Sequence, residues 1–225
     1  MEAFILAGGQ GTRLGATQLP KPLYRVPEKG PTCIERMMHH LVDSGCKRIV
    51  ISTGYLKLAI KEHLQEEFRG IKIEYVDSEA KLQDSILHAR GLFKKPFLLA
   101  WADIITDIDL RELTKELGAY KMRIAVKLSD DTAQYGKIER SRNGWEFITQ
   151  EKNDGSPGLV DIGLYYIDPR FLDMLEGSAG FGPVKRELAE KGVLDVYEHK
   201  GLWLEIGTKE RYEQACQYFG EKASK

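Results

Sequence analysis

Leu6-Ala7-Gly8-Gly9-Gln10-Gly11-Thr12-Arg13-Leu14 is the stretch whose reading decides the fold. It directly follows an apolar run, Phe4–Ala7, that reads as a short buried strand. Glycines allow positive φ and let backbone N–H groups come close to an anion. In open α/β sheets, ligands bind just beyond the carboxyl ends of the strands. Position and chemistry therefore both point to phosphate. The loop is not a Walker A loop, because no GxxxxGK[ST] is present. It is a poor dinucleotide loop as well. Gly9 and Gly11 are followed by Gly15, one residue late, and the second strand ends at Ser52-Thr53-Gly54 with no carboxylate for a ribose.

Downstream, strand-like and helix-like stretches alternate, the pattern of a parallel sheet covered by helices. Thr32–Ser44 is predicted helical, with Ile34, Met37, Met38 and Leu41 at helical spacing and Gly45 as its stop. Arg48–Ser52 is β-branched and apolar, a buried strand. Leu56–Phe68, Leu82–Leu92 and Leu110–Leu117 read as helices, Ile71–Val76 and Phe97–Trp101 as strands. The second half changes character. Met122–Lys127, Gly136–Arg140, Trp145–Thr149 and Leu159–Ile167 look like strands, with Asn143-Gly144 as a hairpin turn. Arg170–Leu175 and Gly182–Glu190 look helical, Leu194–His199 and Leu202–Leu204 like strands, and Lys209–Phe219 like a last helix. Gly155-Ser156-Pro157-Gly158 is the one linker-like patch and reads as a loop. The expectation is a single domain over 1–225, with a nucleotide-binding half, 1–120, and a substrate half, 121–225. The fold class is α/β: a Rossmann-like, mixed but mostly parallel sheet flanked by helices, with extra strands completing a pocket.

Composition narrows the class. The 225 residues are 42% apolar and 30% charged, ordinary for a globular chain. Lys plus Arg total 33 against 34 Asp plus Glu, a formal net charge of −1. That balance argues against a nucleic-acid or polybasic membrane partner. No apolar run approaches the roughly 20 residues of a membrane helix. The first residues begin with an acid and read as a strand, not a signal peptide. Cys33, Cys46 and Cys216 are scattered, without CxxC, which fits a reducing cytoplasm and no disulfide framework. Locally the charge is different: the first 25 residues hold Arg13, Lys21 and Arg25 against Glu2, a local +2.

Gly8–Leu14 and Pro20-Lys21-Pro22 together resemble the signature of the nucleotidyltransferases that make nucleotide sugars, GGxGTRL followed by PKP. The chain looks most similar to the short single-domain members, such as heptose-1-phosphate guanylyltransferases and muramic-acid-phosphate uridylyltransferases. Ser52–Leu56, Trp101-Ala102-Asp103, Tyr135-Gly136, Glu151-Lys152, Asp161-Ile162-Gly163 and Trp203–Thr208 follow in the family's order and approximate spacing. The resemblance implies the nucleotide-diphospho-sugar transferase fold. It also implies transfer of a nucleoside monophosphate, guanylyl, uridylyl or cytidylyl, from an NTP to a sugar 1-phosphate with Mg²⁺. In such a reaction two anions must be aligned, so positioning and charge neutralisation carry the work without a protein nucleophile.

Residue roles follow from the resemblance. The backbone of Leu6, Ala7, Gly8, Gly9, Gly11 and Thr12 would cradle the triphosphate. Arg13 would hold the departing phosphates, and Lys21 would meet the α-phosphate. Asp103, at the end of a buried strand, suits Mg²⁺, whereas Asp107 and Asp109 suit helix capping. Glu205 stands where short members carry a second metal-binding Asp, one methylene shorter. Lys152 would bind the sugar phosphate, Glu151 and Asp161 sugar hydroxyls, and Gly136 would let a hydroxyl approach the backbone. In Glu151-Lys152-Asn153 the asparagine replaces the family's proline. Leu82–Ile86 replaces a glycine-rich stretch that makes room for the nucleobase; Gln83 would meet a base edge there. These departures keep open a second reading, a degenerate paralogue that binds nucleotide or sugar phosphate without turnover. A third, a molybdenum-cofactor or isoprenoid-type nucleotidyltransferase, would lack the sugar-side motifs. Oligomeric state is left open, a homo-oligomer included.

Overall fold

The computed structural model describes residues 1–9, 11, 19–78, 81–142 and 144–223, the last two by backbone alone. Along the chain run β1 (Glu2–Leu6), α1 (Cys33–Asp43), β2 (Arg48–Thr53), α2 (Lys57–Leu64), β3 (Glu67–Phe68) and β4 (Ile71–Asp77). Then come α3 (Leu82–Leu87), β5 (Phe97–Trp101), β6 (Ile104–Thr106), α4 (Leu110–Leu113), β7 (Met122–Ser129), β8 (Lys137–Ser141) and β9 (Gly144–Ile148). The last elements are β10 (Gly158–Ile167), α5 (Phe171–Glu176), α6 (Phe181–Glu190), β11 (Leu194–Glu198), β12 (Trp203–Glu205) and α7 (Lys209–Ala223).

The chain divides into two compact units, neither of them a continuous half. Unit 1 comprises Met1–Ala80, Trp101–Asp107 and Leu202–Lys225; unit 2 comprises Lys81–Ala100 and Ile108–Gly201. In unit 1, β1 and β4 pair with β2 in parallel, with Glu2 opposite Arg48 and Ile49 opposite Ile73. Phe4, Ile5, Ile49, Val50 and Ile51 are all fully buried. Burial on both faces is what turns these strands into unbroken apolar runs. Each such side chain contributes about 1.5–3 kcal/mol by leaving water. β6 and β12 form a separate antiparallel ladder in the same unit. In unit 2, β10 lies antiparallel to β5, β7 and β8, and β11 runs parallel to β7. Parallel pairing early and antiparallel strands late is the mixed α/β pattern the sequence predicts.

α1 occupies the predicted span. The Thr32 hydroxyl accepts from the Glu35 N–H, and the Glu35 carboxylate accepts from the Thr32 N–H at 2.7 Å, a capping box. Three helices end early, α4 among them, which stops at Leu113 instead of Leu117. α2 stops at Leu64 because Gln65 takes φ 59°, its carbonyl held by the Tyr75 hydroxyl, and the chain turns into β3. α3 stops at Leu87 and continues as tight turns up to Gly91, at φ 76°. β6 has no counterpart in the sequence reading; three residues are too short for a periodic signal. Asp109 caps α4 as expected, accepting from the Arg111 and Glu112 N–H groups. β8 and β9 form the expected hairpin, with Ser141 opposite Gly144; Asn143 lies outside the described residues. All three cysteines are free thiols. Among the described residues no helix is long and apolar enough to cross a membrane.

β1, β2 and β4 end in close backbone contact. The Tyr55 N–H donates to the Gly8 carbonyl at 3.2 Å, and the Ser78 N–H to the Thr53 carbonyl at 2.6 Å. A Cβ on Gly54 would lie 2.4 Å from the Ser78 carbonyl oxygen and 2.9 Å from that of Gly8. Both are backbone atoms that cannot swing aside. Gly54→Ala is therefore predicted to destabilise the chain by about 1–3 kcal/mol, the scale of overpacking. Thermal unfolding should show a Tm several degrees lower; an unchanged Tm would contradict the close approach.

Candidate active site

The loop after β1 is tied down at its start. The Ala7 N–H donates to the Ser52 carbonyl at 2.8 Å, and the Leu6 carbonyl accepts from the Ala102 N–H at 3.1 Å. Gly8 packs against Gly54, 3.2 Å from where its own Cβ would be, while Gly9 is exposed in open space. Gly11 has φ +66°, and a Cβ there would meet the Lys21 stem at 2.8 Å. This glycine is thus needed twice, for its backbone angle and for the lysine. Thr12 and Arg13 lie outside the described residues.

Lys21 opens a single 3₁₀ turn, Lys21–Leu23, whose Pro22 and Leu23 are buried anchors. Its ammonium reaches Asp103 at 3.4 Å, with 11% and 18% of the two side chains exposed. Asp103 sits between β5 and β6, and its carbonyl accepts from the Ile206 N–H at 3.1 Å. Across the ladder, Glu205 pairs with Ile104, which sets its carboxylate beside Asp103. Arg211, from α7, donates to Glu205 at 2.6 Å. A Cβ on Gly207 would fall 1.8 Å from Glu205 Oε1, so the longer acid folds into the space this glycine leaves. Burial pushes the Asp103 carboxyl above its ordinary range, the Lys21 ammonium pulls it down, and the Glu205 carboxylate pushes it up again.

The donor set fits magnesium. Asp103 and Glu205 would offer hard oxygen donors, and Mg²⁺ is usually held by one or two carboxylates together with substrate phosphates. Among the described residues no group of three or more His, Cys, Asp or Glu forms a self-sufficient metal cage. The segment bearing Lys21 is clamped in the same unit. Val26 and Cys33 pack with Ile105, Ile206 and Ala215. Arg36 bonds the Val26 carbonyl and stacks 4.0 Å from the Phe219 ring centroid.

Unit 2 holds the other expected residues, several of which also make bonds within the unit. Glu151 and Lys152 are exposed on a 3₁₀ turn, Gln150–Lys152. The Glu151 carboxyl is held below its ordinary range by its own N–H and the Thr149 hydroxyl. Asp161 was expected to accept sugar hydroxyls. Instead its oxygens accept from the Gly163 N–H at 3.0 Å, from the Tyr165 hydroxyl at 2.8 Å, and from Lys185. A carboxylate has about four acceptor positions, and these three donors take most of them. At Gly136, expected to admit a hydroxyl, packing also demands the glycine, since a Cβ there would meet the Phe147 ring at 2.5 Å. Gln83 lies on α3 and donates its side-chain amide to the Leu175 and Ser178 carbonyls, at 2.7 and 3.3 Å. Its donors cap the end of α5, which leaves only its oxygen for a base edge.

The sequence reading missed Lys185 and Arg211. Lys185 lies on the buried face of α6 with Phe181, Val184 and Leu188. Its ammonium sits 4.4–5.2 Å from the ring centroids of Phe147, Phe181 and Tyr165. A lysine in register with an apolar helical face was the available signal. Arg211 gave no comparable signal.

The family model described as "Nucleotidyl transferase" matches residues 2–222. A D-glycero-alpha-D-manno-heptose 1-phosphate guanylyltransferase of Campylobacter jejuni is 30% identical over 171 residues, 74% of this chain and 76% of that protein. A UTP–glucose-1-phosphate uridylyltransferase of Haloferax volcanii is 25% identical, covering 100% of this chain and 98% of that one. Two further relatives are longer: the chain spans 61% of one from Sulfolobus acidocaldarius and 51% of one from Methanococcus maripaludis. Among solved structures, HddC from Yersinia pseudotuberculosis has a TM-score of 0.79 at 22% identity, covering 97% of this chain and 99% of that one. That likeness shows the fold.

The Asp161–Lys185 pair makes a direct prediction. With 8% and 7% of their side chains exposed, each charge depends on the other. Lys185→Met strands a buried carboxylate and should cost about 3–5 kcal/mol. Adding Asp161→Asn should recover most of that loss in urea unfolding. Equal stability of wild type and Lys185→Met would show that the pair does not neutralise a buried charge.

Proposed function

The chain belongs to the nucleotidyl transferase family, and we propose on that basis that it is a sugar-1-phosphate nucleotidyltransferase. An oxygen of the sugar 1-phosphate attacks the α-phosphorus of a nucleoside triphosphate. The bond from that phosphorus to the bridging oxygen of the β-phosphate breaks, and pyrophosphate leaves with the electron pair. The products are an NDP-sugar and pyrophosphate.

The observation that carries this reading is the Lys21–Asp103 pair, with Glu205 beside it, next to the loop that follows β1. The loop backbone at Leu6, Ala7, Gly8, Gly9 and Gly11 supplies the approach for phosphate oxygens. Lys21, fixed by its buried turn and by Gly11, presents its ammonium to the α-phosphate, where negative charge must be stabilised as the leaving group departs. Arg211 keeps Glu205 oriented. Asp103 and Glu205 would hold a Mg²⁺, which supplies positive charge to the triphosphate oxygens when bound. Lys152, exposed and without an ion pair among the described residues, is the cation offered to the sugar phosphate. The similarity to heptose 1-phosphate, glucose 1-phosphate and related transferases supports a hexose or heptose 1-phosphate as the substrate class.

A second reading, ligand binding without turnover, draws support from Gln83 and Asp161, whose polar atoms serve internal bonds. One assay separates the two. Purified protein is incubated with Mg²⁺, each of four NTPs and a panel of sugar 1-phosphates, and pyrophosphate is measured. GTP with D-glycero-α-D-manno-heptose 1-phosphate is the first pair to try. Turnover that is abolished by EDTA and restored by Mg²⁺ supports the proposal. Tight nucleotide binding by calorimetry without pyrophosphate supports the second reading.

Gly207→Ala provides a finer test. The added methyl collides with the end of the Glu205 side chain, which can swing away, so folding should survive. The misplaced carboxylate should lower kcat on the order of 10²-fold with little change in Tm. Full activity in this variant would remove Glu205 from the site.

A further inference from the structure

Asn153 follows Lys152 directly and organises more backbone than its size suggests. Its Nδ2 group donates to the Thr132 carbonyl at 2.7 Å and the Tyr135 carbonyl at 3.1 Å. Its Oδ1 accepts from the Gly155 N–H at 3.1 Å and lies 3.4 Å from the Thr132 hydroxyl. Both amide protons and the carbonyl are therefore used, nearly the full capacity of an asparagine. Thr132 is fully buried, and its hydroxyl donates to the Ser156 carbonyl at 2.8 Å. Just beyond, Lys137 bonds Asp154 at 2.9 Å and Ser156 at 2.8 Å. The Gly136 carbonyl accepts from the Asp161 N–H at 2.9 Å. Two turns that are distant in sequence, 132–136 and 150–156, are thereby fastened together, and Asn153 supplies bonds to both.

We propose that Asn153 is a positioning residue: it fixes the turn that bears Lys152 against the Thr132–Gly136 turn, so that the Lys152 ammonium is held ready for a sugar phosphate. The role assigned to Lys152 rests on the reading under Proposed function. Asn153 itself touches no substrate. Its φ of −73° and ψ of 126° are extended values that many residues adopt, so its backbone alone does not require asparagine. The side-chain bonds do. Aspartate keeps the shape and the acceptor but has no proton for the Thr132 and Tyr135 carbonyls. It would also place a negative charge against them.

The test compares wild type with Asn153→Ala and Asn153→Asp by steady-state kinetics on the NTP and sugar 1-phosphate pair that turns over fastest. Both variants should raise KM for the sugar 1-phosphate roughly tenfold, the scale of one or two lost hydrogen bonds. KM for the NTP should stay within about twofold, because Lys21, Asp103 and the start of the loop after β1 lie in unit 1. If the alanine variant fails to fold, the isosteric aspartate variant gives the reading. Thr32→Ala, which removes a helix cap in unit 1, controls for lost stability and should move neither KM. An unchanged sugar-phosphate KM in a folded Asn153 variant overturns the inference and leaves the proposed reaction intact. If wild type turns over no pair, the proposed reaction falls. Calorimetry with glucose 1-phosphate then decides: weaker binding by Asn153→Asp than by wild type sustains the inference, and equal or absent binding overturns it.

Discussion

Two carboxylates held side by side are the constraint on which unit 1 depends. The β6–β12 ladder sets Glu205 next to Asp103, and burial makes their repulsion expensive. Each acid has a cation, Lys21 for Asp103 and Arg211 for Glu205. Those cations come from opposite ends of the chain, one from the turn after the glycine loop and one from α7. The packing of Val26, Cys33, Ile206 and Ala215 brings these segments together. A site built this way gains stability from any further positive charge and can present its lysine to an anion. On the proposed reading, that lysine meets the triphosphate and eases pyrophosphate away.

Unit 2 solves a different problem. Its polar residues are bonded chiefly to one another. Asp161, Tyr165 and Lys185 form one buried set, and Thr132, Asn153, Asp154 and Lys137 form another. These sets fix loops in place and leave Lys152 as the exposed cation of the 3₁₀ turn. Such division of labour fixes the turn through bonded side chains and leaves Lys152 open on it.

The α/β class and most elements were legible because strong periodicity and caps agree in this sequence. α1 shows the point: Thr32, Glu35 and the Ile34–Leu41 stripe all define the same helix. Lys21, Asp103 and Glu205 were legible because they lie in contiguous motifs. Roles that depend on long-range partners were not. Nothing near Asp161 in sequence announces Lys185, 24 residues away, and nothing near Gly136 announces the Phe147 ring. Gln83 looked free because the α5 carbonyls it caps lie more than 90 residues on. The early end of α2 likewise depends on Tyr75, which holds the Gln65 carbonyl from β4. The net charge of −1 concealed a local site, since the cations gather at one loop.

The central claim is that Asp103 and Glu205 jointly hold a divalent ion against a nucleoside triphosphate, with Lys21 beside them. Electron paramagnetic resonance of Mn²⁺, as a stand-in for Mg²⁺, titrated into protein and GTP tests it most directly. The account predicts a bound-ion signal in the wild type that needs the nucleotide, and its loss in Asp103→Asn. An identical Mn²⁺ signal in that variant, or none in the wild type with any of the four NTPs, would contradict it.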